Sequence, residues 1–314
     1  LSALCGTECG GTDWRGSAAT QDQDRVVPYA GIRRAPRAER LSYGNYVLNY
    51  LISGLAKSGT TILFSRLQSA LPQDAATYFE PDQDDSLREI LDEGRVRDTL
   101  TKVLIGRVKA ENTPLHDFDR HVLIYRDPRD QFISMLLYLF YDFQLSGDLD
   151  GYRDAFAGLE KKVSEPEAHS TIALYNRIAR LVGRAPVNVF NNLHRAQQEF
   201  IQAFTPHLLR YEDFIDGKLT HVENYLSLDL GNRAEVTADY RRVARSRSYG
   251  EWRHWLTDED LDYLQSEWGA TLERLGYPSC TRAGELSIDR QTSMGYVSQF
   301  DPSQNGPDST AAPA

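Results

Sequence analysis

The chain predicts an α/β fold, a single domain in which a central, mainly parallel β-sheet is flanked by helices. Three observations carry that prediction. Short apolar runs alternate with longer amphipathic stretches along most of the 314 residues. The first run, 46–53, holds β-branched, aromatic and aliphatic side chains and no charge, as a strand buried on both faces of a parallel sheet requires. A turn rich in small residues, Gly54-Leu55-Ala56-Lys57-Ser58-Gly59-Thr60-Thr61, then leads directly into a helical stretch.

Taken in order, residues 1–44 are rich in Gly, Ala, Arg and Asp without sustained periodicity and read as a loose N-terminal arm. The domain proper is expected over 45–277. After the turn, a helix from Thr60 runs to about residue 71, where Pro72 ends it. Residues 76–81 read as a second strand ending at the carboxylate of Glu80. Ser86 and Glu89 form a capping box for a helix over 87–92. Residues 102–109 read as a third strand and 121–125 as a fourth. Asp127 suits the N-cap and Pro128 the first turn of a helix over 128–141. Helical patterns follow at 152–163 and 169–182, the second with Ile172, Leu174, Tyr175, Ile178 and Leu181 on one side. Short strands at 187–190 and 207–211 flank a helix over 193–204. Helices at 219–227 and 258–275 bracket a basic stretch, 240–253. From Pro278 to the end, Ser, Gly, Pro, Gln and Asp dominate, so 278–314 reads as a disordered tail.

Bulk properties narrow the function. Hydrophobic residues make up 41% and charged residues 25%, ordinary for a globular protein. A formal net charge of −10 argues against a broad basic face for nucleic acid or a sulfated polysaccharide, but leaves room for a small anion in a local pocket. The longest apolar run, 132–143, is interrupted by Ser134 and Asp142, so no membrane span is expected. Cys5, Cys9 and Cys280 lack the spacing of a zinc site and read as free thiols, which favours a cytoplasmic location.

Four motifs carry chemistry. The turn at 54–61 reads as a phosphate cradle, because its glycines permit tight turning and the helix that follows points free N–H groups at one spot; a Gly/Ser/Thr turn that binds no ligand is the alternative. Its spacing approaches G-x-x-x-x-G-K-[ST], but Thr60 stands where that motif has lysine, and Lys57 lies three residues earlier. The second motif, Arg126 through Ser134, places a forked phosphate donor at a strand end and a hydroxyl two turns into the next helix. Pairing of Arg126 with Asp127 or Asp130 is the alternative. The third is Tyr211-Glu212-Asp213 at a late strand end. The fourth, Arg245-Ser246-Arg247-Ser248-Tyr249-Gly250-Glu251-Trp252-Arg253, gathers arginines beside Gly and Trp in an acidic chain, as a flap over phosphate would.

In this order and spacing, the four segments resemble those of the sulfotransferases that use 3′-phosphoadenosine 5′-phosphosulfate (PAPS). The resemblance spans Lys57 to Arg253, roughly two thirds of the chain. It implies a P-loop NTPase-like three-layer sandwich and transfer of a sulfuryl group from PAPS to a hydroxyl, phenol or amine, leaving adenosine 3′,5′-bisphosphate (PAP). It also implies roles. Lys57 lies against the bridging oxygen, Ser58, Gly59, Thr60 and Thr61 hold the 5′-phosphate, Arg126 and Ser134 hold the 3′-phosphate, and Tyr211 lies near the adenine. The departures at Ser246 and Arg247 leave both Arg245 and Arg247 as partners for the 3′-phosphate. Nothing in this scheme requires a metal.

The acceptor must lose a proton. Where many relatives carry a histidine after the third strand, Lys109-Ala110-Glu111 stands here, so Glu111 is the first candidate base, Glu80 the second and His116 the third. The acceptor itself is expected to be a small molecule, apolar or aromatic, held by the Tyr-, Phe- and Leu-rich residues 136–149 and the helices beyond. Two competing readings are a P-loop kinase or NTPase, which magnesium dependence would reveal, and a non-catalytic nucleotide-binding module, which would form no product.

Overall fold

The computed structural model describes residues 47–81, 84–108, 113–231, 245, 248–281 and 284–304. The N-terminal arm and the last ten residues lie outside them. Five parallel strands form one sheet in the order β2-β3-β1-β4-β5: β1 (Asn49–Gly54), β2 (Ala76–Phe79), β3 (Thr99–Leu104), β4 (Arg120–Tyr125) and β5 (His207–Arg210). β1 is central, with Leu51 registered against Thr101 on one side and His121 on the other. All six of its residues are buried, as the uncharged run requires.

Alternation along β1 assigns its two faces. Tyr50 and Ile52 pack with Leu63, Phe64 and Leu67 of α1 (Thr60–Ala70) and with Val222 of α9 (Thr220–Leu226). Leu51 joins Val103 and Leu123 against Leu87 and Ile90 of α2 (Asp84–Glu93) and Phe200 and Phe204 of α7 (Val189–Phe204). The sheet is therefore covered on both faces, and the three-layer α/β architecture read from the sequence is the one observed. Between β4 and β5 the chain also forms α3 (Pro128–Tyr138), α4 (Phe140–Ser146), α5 (Leu149–Ser164) and α6 (Thr171–Leu181); α8 (Tyr211–Ile215) follows β5. With α10 (Trp252–Trp255) and α11 (Asp258–Arg274), α3 to α7 enclose an aromatic-rich core around Phe132, Phe140, Phe190 and Trp268.

Several boundaries differ from expectation. The third strand stops at Leu104, because Gly106 turns at φ 95° and the Arg107 N–H donates to Leu104 O (3.0 Å). The single helix expected over 128–141 is two, divided at Leu139. Residues 187–190, read as a strand, enter α7, since Val187 and Phe190 sit at helical spacing and both face the aromatic core. α11 starts as expected, with a capping box between Thr257 and Asp260.

The largest correction concerns the tail. The domain does not end at residue 277. Residues 284–304 return across α3, α4 and α5, burying Ile288, Met294, Tyr296, Val297 and Phe300 in the helical core. The backbone N–H of Leu286 donates to Glu167 (3.1 Å), Arg290 pairs with Glu160 (2.7 Å), and the Tyr152 hydroxyl donates to Val297 O (3.3 Å). Among the described residues no helix is long and apolar enough to cross a membrane.

Candidate functional site

Gly54, the last residue of β1, has no room for a side chain: a Cβ there would lie 2.6 Å from Ile124 O and 2.7 Å from the Ser58 hydroxyl. The loop after it is closed by Ser58, whose N–H (3.2 Å) and hydroxyl (2.7 Å) both donate to Leu55 O. Lys57 and Gly59 adopt left-handed backbone, at φ 67° and 101°. Gly59 is the N-cap of α1, and no side chain caps the helix, so the first-turn N–H groups face the loop mouth.

Tyr211, the first residue of α8, closes on this loop. Its ring edge lies 2.5 Å from where a Gly59 Cβ would be, and the Arg126 guanidinium lies over the ring, 4.4 Å from its centre. Tyr211 is buried, in contact with both the loop and the arginine, and burial raises its pKa. Arg126 is itself buried. It donates to Ser248 O (3.0 Å) and, at 3.5 Å, to Lys57 O, while its Nε has no partner.

The carboxylates next to Arg126 are occupied elsewhere. Asp127 takes both Nε (2.9 Å) and Nη2 (2.7 Å) of Arg129. Asp130 accepts from the backbone N–H groups of Gly250 (2.5 Å) and Trp252 (3.0 Å), docking the fourth segment onto α3. Burial pushes the Asp130 carboxyl up to about 6, against the lowering effect of Arg126 and the two amides. From the same segment comes Arg245, close enough to Tyr211 to act on its charge, with a side chain 7% exposed. Arg245 pairs with Glu251 at 2.5 Å, yet its Nε and Nη1 are buried without a partner. Arg247 lies outside the described residues.

Successive turns of α3 serve the loop. Gln131 donates to Ala56 O (2.7 Å), and the Tyr138 ring lies beneath the Lys57 ammonium, 3.9 Å from its centre. Ser134, buried, falls between them by helical spacing. Neither Gln131 nor Tyr138 was singled out in the sequence. The i, i+3, i+7 spacing of Gln131, Ser134 and Tyr138 along one helix face was the available signal.

On the β2–β3 side, Glu80 holds left-handed backbone at φ 53° and turns its carboxylate to Lys102 (2.5 Å) and Arg107 (2.9 Å). Lys102, buried on β3, also donates to the Thr61 hydroxyl (3.1 Å) and lies over the Phe79 ring. The carboxylate of Glu80 is thereby linked to Thr61, in the first turn of α1, through one lysine. Sequence reasoning passed over Lys102 as an ordinary strand residue; its place in an otherwise uncharged run, Thr99 to Ile105, was the sign. Glu111 lies outside the described residues, and His116 sits exposed against Phe204 of α7.

No family model and no curated protein matches the chain. Among solved structures, the chain is similar to mouse sulfotransferase SULT7A1 complexed with PAP, at 15% identity and a TM-score of 0.46, covering 73% of this chain and 86% of that one.

Proposed function

We propose that this protein transfers a sulfuryl group from PAPS to a small acceptor. One observation carries the reading: Arg126 and Arg245, with buried N–H groups that lack a partner, both act on Tyr211, whose ring lies against the glycine-turned loop. Leaving such donors unsatisfied costs about 1–3 kcal/mol apiece, a cost that a phosphate at this position would remove. Lys57, one residue before the cradle's first buried hydroxyl, suits the bridging oxygen, and the α1 N–H groups suit the 5′-phosphate. Transfer of this kind leaves the protein to position the reactants and stabilise charge.

For the proton acceptor we favour Glu80. Lys102 and Arg107 each hold one of its oxygens, which fixes the carboxylate's orientation and leaves lone pairs for an acceptor hydroxyl. An apolar or aromatic acceptor suits Tyr138, beneath Lys57, and Tyr141, stacked on it.

The test is calorimetric titration with PAP in EDTA. Wild type should bind, and Arg126→Ala and Arg245→Ala should each weaken binding about tenfold or more, as for loss of a hydrogen bond to a charged group. Absence of PAP binding by folded wild type, with ATP binding only when magnesium is added, would sink the proposal in favour of a kinase.

A further inference from the structure

The support beneath Lys57 extends well beyond the loop. Its ammonium rests over the Tyr138 ring at 3.9 Å. That ring stacks on Tyr141 (5.5 Å between centres, 28° between planes) and meets Phe300 edge-on at 6.3 Å. Phe300 also meets Tyr141 (5.6 Å) and Tyr296 (5.2 Å) and is 1% exposed. A half-buried tyrosine is thus clamped from behind by the returning segment and offers its face to a lysine whose own backbone is in a left-handed conformation. Lysine has four rotatable side-chain bonds, so an ammonium without such a platform would sample many positions. The ring's negative face removes most of them.

We infer that Tyr138 is a positioning residue for Lys57, presenting the ammonium at the mouth of the phosphate loop, and that Tyr296 and Phe300 hold the ring in place. The inference rests on the reading of the loop as the site of donor binding. Tyr138 does no chemistry of its own; the inferred role belongs to the face of its ring. The returning segment 284–304 is then part of the active-site support, although it contributes no group to the reaction.

Reductive ¹³C-methylation of the lysines keeps their charge and gives Lys57 an NMR signal that Lys57→Arg identifies. In wild type without nucleotide, that signal should be displaced from those of exposed lysines by the ring current. Tyr138→Leu should abolish the displacement and Tyr138→Phe retain it. PAP affinity, measured in parallel, should fall about two- to fivefold in Tyr138→Leu, the worth of an exposed cation–π contact. It should fall in the same direction in Phe300→Leu and recover in Tyr138→Phe. An undisplaced wild-type signal, or PAP affinity in Tyr138→Leu equal to wild type, would overturn the inference while leaving donor binding intact. Failure of wild type itself to bind PAP would instead remove the functional reading, and the positioning role with it.

Discussion

Single residues divide by whether their meaning is contiguous in the chain. Lys57, Ser58, Gly59 and Arg126 stand out as candidates in the sequence because each sits inside a short motif whose chemistry depends on neighbours in the chain. Lys102, Gln131 and Tyr138 could not, since their significance comes from the strand or helix that carries them to the loop. Gly59 tests the local part. With φ 101° and Tyr211 at 2.5 Å, Gly59→Ala should lower stability by about 1–3 kcal/mol and displace Tyr211, with loss of PAP binding measured by calorimetry. Glu80 tests the chemical part. Glu80→Gln should lower turnover at least a hundredfold at unchanged PAP affinity, as for removal of a general base, whereas Glu111→Gln should leave turnover within a few fold. The reverse ranking would return the role to Glu111.

At the scale of elements, α3 organises the site, and Asp130 joins it to the arginine-bearing segment. Ionisation of this buried carboxyl is resisted in the fold, with its pKa raised from 3.8 to about 6. The folded state therefore holds the proton more tightly than the unfolded chain does. The contribution of Asp130 to stability is full below pH 3.8 and is lost as pH rises through about 6, a difference of roughly 3 kcal/mol. Asp130→Asn cannot titrate. Its stability relative to wild type should improve by about that amount between pH 3.5 and 7, measured by denaturant unfolding, while exchange of the Gly250 or Trp252 amide quickens, because the two N–H groups use different oxygens and asparagine replaces one with a donor. Sequence logic identified α3 by its Asp-Pro start but missed the break at Leu139, since Phe140, Tyr141 and Phe143 continue the apolar spacing across it. It missed the segment 284–304 for a different reason. Met294, Val297 and Phe300 recur every third residue along a short helical stretch, 291–298, but Gln291, Ser293, Gly295 and Ser298 interrupt it too often for the period to stand out in the sequence.

Across the whole molecule, two deeply buried histidines weaken the fold in acid. His121, sharing a 2.8 Å hydrogen bond with Ser53 beneath the sheet, is pushed down to about 3 by burial, and His194, against Trp268, to about 4. Both stay neutral in the fold at pH values where the unfolded chain protonates them, so stability falls as pH drops below about 6.5. Each should cost about 2 kcal/mol between pH 7 and 5, offset in part by Asp130. His194→Leu, which removes a ring whose nitrogens have no partner, should flatten the fall in Tm over that range by about half. The three-layer architecture was evident from the alternation of strands and helices, because its strands lie next to one another through covered faces and short crossovers. One connection is not short. β5 joins β4 only after α3 to α7 intervene, and the Asp127 N–H reaches its Glu212 acceptor across 85 residues, while Arg126 reaches Ser248 across 122. Contacts so distant along the chain form late in folding, since closing each loop costs entropy before any bond repays it. The cradle and α3 thus make an early half-site, and Tyr211 with Arg245 a late one. On refolding, recovery of nucleotide binding should lag behind recovery of helical circular dichroism, and the chain will pass through a folded-looking but incompetent stage.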